Sequence, residues 1–218
     1  MQPEHRLHAL TITATLVGMY TLATKVLPNM EWLGTWQGAL VAYVSTLGAY
    51  KSVHWALALI LNSNPLFKRL FLRKLFIHGT WVGYYYGEDG KVRYVVDQIE
   101  QEIGEPLRVQ GYGFGEDGRT HAKWHSVAAD FFNGGKDLIF IFDAEILSAG
   151  TKVDGITSLT LSRIHWFSPT WITGSSTNIG SKSRLEVNEE KVSSGMLELT
   201  IAYRKAREFY EQTMKATG

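Results

Sequence analysis

Near residue 77 the chain changes character. Between Ala9 and Phe67 only Lys25, Glu31 and Lys51 carry a formal charge. Beyond that point polar residues multiply, and 17 of the 21 glycines lie at or after Gly79. Residues 1–77 hold 7 Lys/Arg and 2 Asp/Glu, a net of +5. The remainder holds 15 Lys/Arg and 19 Asp/Glu, a net of −4. Two domains are predicted, 1–75 and 76–218. The overall charge of +1 argues against a nucleic-acid coat protein, which needs a surplus of Lys and Arg. With no Cys among 218 residues there is no disulfide, thiol nucleophile or thiolate zinc site.

About 20 apolar residues span the hydrocarbon core of a bilayer. Ala9–Met30, interrupted by Lys25, and Trp32–Phe67, interrupted by Lys51 and His54, are long enough to be predicted as two spans. Lys25 lies near an end, where its stem returns the ammonium to the interface. Leu27-Pro28-Asn29 ends the first helix, and Trp32, Trp36 and Tyr43 read as an aromatic belt at the start of the second. The alternatives are a cleaved signal peptide for the first stretch and a buried soluble helix for the second. Lys68, Arg69, Arg73 and Lys74 follow the second span, and Arg6 precedes the first. By the positive-inside rule both ends face the cytoplasm, with the basic cluster on anionic lipid headgroups. Lys51 and His54, three apart, share one helix face. They read as a polar seam for assembly or permeation, or as the place where the span ends and an interfacial helix begins.

From His78 the period becomes that of strands. His78–Tyr86, Lys91–Glu100, Leu107–Gly115, Arg119–Ala129, Asp137–Leu147, Asp154–Ile164, Arg184–Glu190 and Gly195–Tyr203 are eight predicted strands. Asp89-Gly90 and Asp117-Gly118 mark hairpin turns. Ser168–Ser183, rich in Ser, Thr and Gly, reads as a loop at a barrel mouth. Short connections mean antiparallel neighbours. The set predicts an eight-stranded up-and-down antiparallel β-barrel, with an open sandwich as the alternative. A barrel of this size has room for one small ligand. Lys205–Lys215 reads as a short amphipathic C-terminal helix.

Gly79-Thr80-Trp81, at the first strand, resembles the lipocalin signature. That resemblance implies a Trp81 that plugs the closed end of the barrel, with a late basic residue, here Arg204, to cover it.

No nucleophile elbow, phosphate loop or zinc-protease helix is present, and no enzyme, metal or cofactor is implied. Gly111-Tyr112-Gly113-Phe114-Gly115 has the wrong spacing for a dinucleotide fingerprint and reads as a strand with room for close approach. His121, Lys123 and His125 alternate with Ala122, Trp124 and Ser126. On a strand the two histidines stand roughly 13 Å apart, too far to share one ion. Trp124 is expected to point inward and the basic face outward. Aromatic residues interleave with basic ones along the strands, and aromatics stack bases while Arg pairs with phosphates. On that basis Tyr85, Tyr94, Trp124, Arg163 and Tyr203 are candidate ligand contacts, with Arg119 and Arg184 as phosphate clamps.

Two N-terminal spans, a basic juncture and a β-rich domain opening with Trp81-Val82-Gly83-Tyr84-Tyr85 resemble one family. It is the two-transmembrane, β-strand-rich effectors of bacterial CBASS antiphage systems. The resemblance implies residence in the bacterial inner membrane and a partner nucleotidyltransferase (CD-NTase) that makes a cyclic dinucleotide. It further implies that the barrel binds this messenger in a lumen wide enough to hold it. The protein then forms a homo-oligomer that disrupts the membrane, and the infected cell dies. A membrane-tethered, lipocalin-like carrier of a lipid or other apolar molecule is the alternative.

Overall fold

A computed structural model describes residues 3–25, 36–87, 89–162, 169–179 and 184–217. The chain divides into two compact units, 1–71 and 72–218, close to the predicted boundary.

The first unit carries helices α1 (Pro3–Lys25) and α2 (Trp36–Ser63), which pack on each other, and α3 (Pro65–Leu72) follows. The predicted helix end at Leu27-Pro28-Asn29 and Trp32 lie outside the described residues, as do the side chains of Trp36 and Tyr43. Thr11, Thr13, Thr21 and Thr24 donate their hydroxyls to the carbonyls four residues back, so these polar groups are satisfied within α1. Large apolar side chains point outward along all three helices. Leu16 is 64% exposed, Tyr20 72%, Trp55 68% and Leu70 66%. Among the described residues no helix is long and apolar enough to cross a membrane. Threonines dilute α1, and Lys51 with His54 interrupts α2.

Lys51 and His54, expected to share a seam, meet different surroundings within the helical unit. His54 faces α1, its Nδ1 3.2 Å from Thr11 Oγ1 and its ring stacked on His8 at 5.2 Å. His8 Nδ1 lies 2.6 Å from Tyr50 Oη. Lys51 is exposed and takes no part in these contacts. Residues three apart sit about 60° apart around a helix, and the narrow α1–α2 contact takes only one of them.

The second unit is a closed antiparallel barrel. Its strands run in chain order around the wall: β1 (Gly79–Tyr86), β2 (Val92–Glu100), β3 (Arg108–Phe114), β4 (Thr120–Phe132), β5 (Asp137–Ile146), β6 (Thr151–Ser162), β7 (Trp171–Asn178) and β8 (Arg184–Ser193). β1 pairs with β8 from Thr80↔Ser193 to Tyr84↔Asn188, which closes the wall. Two predicted elements are corrected. The Ser/Thr/Gly-rich loop contains β7, whose backbone pairs with β6 on one side and β8 on the other. Gly195–Tyr203 is no strand: it leads into α4 (Leu199–Thr217), longer than the predicted helix. Ladder hydrogen bonds override the poor strand propensity of Gly174-Ser175-Ser176. Leu199, Ala202, Ala206, Phe209 and Tyr210 repeat at helical spacing and meet the barrel.

Ile77, Trp81, Ile99, Val109, Leu138 and Leu159 close the end at which β1 begins. Trp81 is fully buried, and its Nε1–H donates to the Ile77 carbonyl at 2.9 Å. The basic residue over Trp81 is Lys191 on β8, whose Nζ lies 5.5 Å from the Trp81 ring and 4.5 Å from that of Phe76. Arg204 is exposed on α4 instead. β8 ends at Ser193, before Arg204, so Lys191 on the strand takes the place expected for Arg204. α4 covers the outer face of β1 and β2 through Val82, Tyr94 and Val96 and reaches Phe114 at the end of β3.

Candidate functional site

The site is the lumen near the other end of the barrel, and glycines make it. Tyr85, Ala122 and Trp124 line the lumen. A Cβ at Gly111 would overlap both the Trp124 indole and Asp97 Oδ1, and one at Gly113 would touch Trp124 at 3.5 Å. The Gly-x-Gly of β3 is therefore the floor on which Trp124 lies. Gly111→Ala is expected to displace the indole and destabilise the chain by about 2 kcal/mol, measured by urea unfolding.

β1 separates two acidic residues. Asp97 on β2 pairs with Trp81, and Glu189 on β8 pairs with Gly83. A Cβ at Gly83 would lie 2.6 Å from Glu189 Cγ, so the glycine lets the glutamate lean inward. Both carboxyl groups are buried and interact with each other, and the Trp124 indole N–H acts on Asp97. Burial pushes Asp97 up to about 7, against the opposing effect of the hydrogen bonds from Glu189 and Trp124. Burial, with the neighbouring Asp97 charge, pushes Glu189 well above the usual carboxylate range. Two carboxylates in a dry barrel cannot both ionise, so the pair holds a proton at neutral pH. That proton lies in the hydrogen bond between the two carboxyl groups, with the Trp124 indole also acting on Asp97.

The cavity above the pair is about 100 Å³. Phe140, Phe142 and Val153 form apolar wall. Thr157 and Ser176 form polar wall, joined by a 3.0 Å hydrogen bond. Drug-sized pockets run from about 300 to 1,000 Å³. The expected lumen wide enough for a cyclic dinucleotide is corrected: inward-facing aromatics fill most of it.

At the rim, an open cleft of about 310 Å³ includes Tyr85, Asp89, Arg93 and His121. A larger one of about 560 Å³ includes Lys91, Arg93, Arg119 and His121. Arg93 is 13% exposed, donates to Asp89 at 2.8 Å, and its buried Nε has no partner among the described residues. Burial pushes the Tyr85 phenol up, with the Arg93 charge opposing. Burial, then the Arg93 charge, pushes His121 down.

Of the candidate contacts, Tyr85 and Trp124 meet in the lumen. Arg119 stands on the rim, 90% exposed and 3.6 Å from Asp117. Arg184 is exposed at the start of β8, on the rim side. Tyr94 and Tyr203 are corrected: Tyr203, on α4, packs edge to face at 5.6 Å on Tyr94 at the outer wall of the barrel. The strand parity that sends Asp97 and Val95 inward sends Tyr94 outward. Arg163 lies outside the described residues. The basic face of β4 points outward as expected, with Lys123 2.8 Å from Glu145 and His121 Nδ1 3.0 Å from Ser148 Oγ. Sequence reasoning missed Asp97, Glu189 and the part played by Arg93. The only local sign was a lone charge in the apolar run Tyr94–Ile99.

No family model matches the chain, and no curated protein matches it. Among solved structures it is similar to a redesigned β-barrel, mFAP0, bound to DFHBI. The identity is 18%, over 54% of this chain and 100% of that one, with a TM-score of 0.39. It is likewise similar to a second, mFAP1, bound to DFHBI, at 20% identity over 54% of this chain and 94% of that one, with a TM-score of 0.39. The fold itself, a closed eight-stranded antiparallel barrel with a C-terminal helix, rests on the strand pairing.

Proposed function

We propose that the chain is a membrane-anchored, non-enzymatic effector of cyclic-oligonucleotide antiphage defence. The open end of its barrel takes a cyclic dinucleotide made by a partner nucleotidyltransferase. The helical unit then self-associates and breaches the bacterial inner membrane. The observation that carries this reading is the rim. Lys91, Arg93 and Arg119 surround the clefts beside a lumen walled by Tyr85 and Trp124. Cations suit phosphates, and aromatic faces suit bases. With only about 100 Å³ inside, the ligand is held at the rim and the lumen takes at most an edge of it.

The helical unit supports the other half of the reading. Its outward Leu16, Val17, Tyr20, Trp55 and Leu70 need lipid or further copies of the chain to cover them. Among the described residues no helix is long and apolar enough to span alone, so the reading requires an assembled bundle. In such a bundle Lys51 and the His8–Tyr50–His54 cluster face protein or water. A ligand drives assembly only by binding the assembled form better than the resting one.

Isothermal titration of the full chain in detergent micelles against a cyclic-dinucleotide panel tests the receptor half. The expected result is a Kd well below millimolar for one member, weakened about tenfold by Arg93→Ala. No heat with any member overturns it. The apolar wall of Phe140, Phe142 and Val153 favours one other reading, a carrier of an apolar molecule. Native mass spectrometry showing an acyl ligand retained by the purified chain would select that reading.

A further inference from the structure

Two turns at the open end of the barrel are copies of one another. Gly87-Glu88-Asp89-Gly90-Lys91 joins β1 to β2, and Gly115-Glu116-Asp117-Gly118-Arg119 joins β3 to β4. In each, the first glycine N–H donates to the carbonyl of the closing cation at 2.9 Å, and the second glycine N–H donates to the carbonyl of the first. In each, the aspartate Oδ1 accepts from the backbone N–H two residues on, at 3.1 Å. Gly90 and Gly118 have φ of +71° and +76°, a conformation that suits glycine. Lys91 and Arg93 from the first hairpin and Arg119 from the second line one cleft. These bonds give each turn its shape, but none of them sets where one turn stands relative to the other.

α4 touches both hairpins from outside the wall. Tyr203 Oη donates to the Glu116 carbonyl at 3.2 Å, and a Cβ at Gly118 would lie 3.3 Å from its ring. Tyr210 stands on the same helix face, seven residues and about 10 Å further on. Its hydroxyl donates to that of Tyr86, the last residue of β1 before the first turn. Tyr86 Oη donates in turn to Met214 Sδ at 3.9 Å. The rings are held as well: Tyr203 packs on Tyr94 and Phe114, and Tyr210 on Tyr84 and Tyr94.

We propose that α4 is a brace that fixes the twin cation-bearing turns in position, with Tyr203 and Tyr210 as its positioning residues. The brace stands on these contacts alone. Its consequence for the ligand rests on the function proposed above: a molecule with two phosphates reaches cations on both turns, so its binding and the docking of α4 strengthen each other.

The test uses the full chain in detergent micelles and reads amide hydrogen exchange beside titration with the cyclic-dinucleotide panel. Tyr203→Phe removes one hydroxyl and keeps the ring. Without ligand, exchange at Gly118 is expected to quicken at least about threefold, with no change at Gly135 in the β4–β5 turn at the opposite end. The nucleotide that binds is expected to lose about threefold in affinity in Tyr203→Phe and in Tyr210→Phe, and to slow exchange along α4 in the wild type. These results together support the brace and the receptor function. Unchanged exchange at Gly118, or equal quickening at Gly118 and Gly135, overturns the brace whatever binds at the rim. Nucleotide binding with the same Kd in both variants also overturns the brace and leaves the receptor function standing. Quickened exchange confined to Gly118, in a chain that binds no nucleotide, supports the brace and overturns the receptor function.

Discussion

Replacing Trp81 with alanine is expected to lower the unfolding free energy by about 4 kcal/mol, a fall of roughly 10–15 °C in the melting temperature. Three losses combine. The largest is volume, because the indole is fully buried among Ile77, Ile99, Val109 and Leu138. The second is the Nε1–H donor, whose removal leaves the Ile77 carbonyl unpaired in the same dry end. The third is the aromatic face beneath Lys191 Nζ, 5.5 Å away. Trp81→Phe keeps much of the volume and loses the donor, so an intermediate value is expected. Urea denaturation followed by circular dichroism measures both variants. A change below about 1 kcal/mol for alanine would show that the closed end repacks without its plug.

The second large effect concerns pH. In the folded barrel Asp97 keeps its proton up to about 7, and burial with the neighbouring Asp97 holds Glu189 well above the usual carboxylate range. In the unfolded chain both release protons near 4. Between those limits the folded state binds more protons, so stability is greatest in acid and declines as pH rises. The expected loss between pH 4.5 and pH 8 is on the order of 3 kcal/mol. Asp89 and Glu145 run the other way, held below their usual range by the Lys91 backbone N–H and by Lys123 respectively. Both are exposed, and water screens them. Asp97→Asn removes the competition for a proton. That variant is expected to show a flattened profile and to exceed the wild type in stability at pH 8. Thermal melts across the range check this, and stability that rises from pH 5 to pH 8 would contradict it.

The turns were the legible part of the fold. Asp89-Gly90 and Asp117-Gly118 announce hairpins, and hairpins in succession announce neighbours in chain order around a barrel. β7 was hidden because Gly174, Ser175 and Ser176 are loop formers locally, and only the ladders on both sides hold them extended. The facing of Trp124 followed from alternation along β4, helped by the exposed Lys123 and His125. Tyr94 and Tyr203 look identical in composition to a stacking pair. What decides their place is α4, whose packing on the outer wall depends on the whole barrel. The acid pair was hidden for a related reason. Asp97 and Glu189 meet across β1, and nothing short of the closed register brings β2 and β8 to either side of it.

Pairing of the first strand with the last has a consequence during synthesis. Thr80 waits for Ser193, so the barrel stays an open sheet until β8 has left the ribosome. Until then β1 presents a raw edge, and the greasy helices that emerged earlier have no finished partner domain behind them. Its late, all-or-none closure makes products that stop short of β8 prone to aggregate.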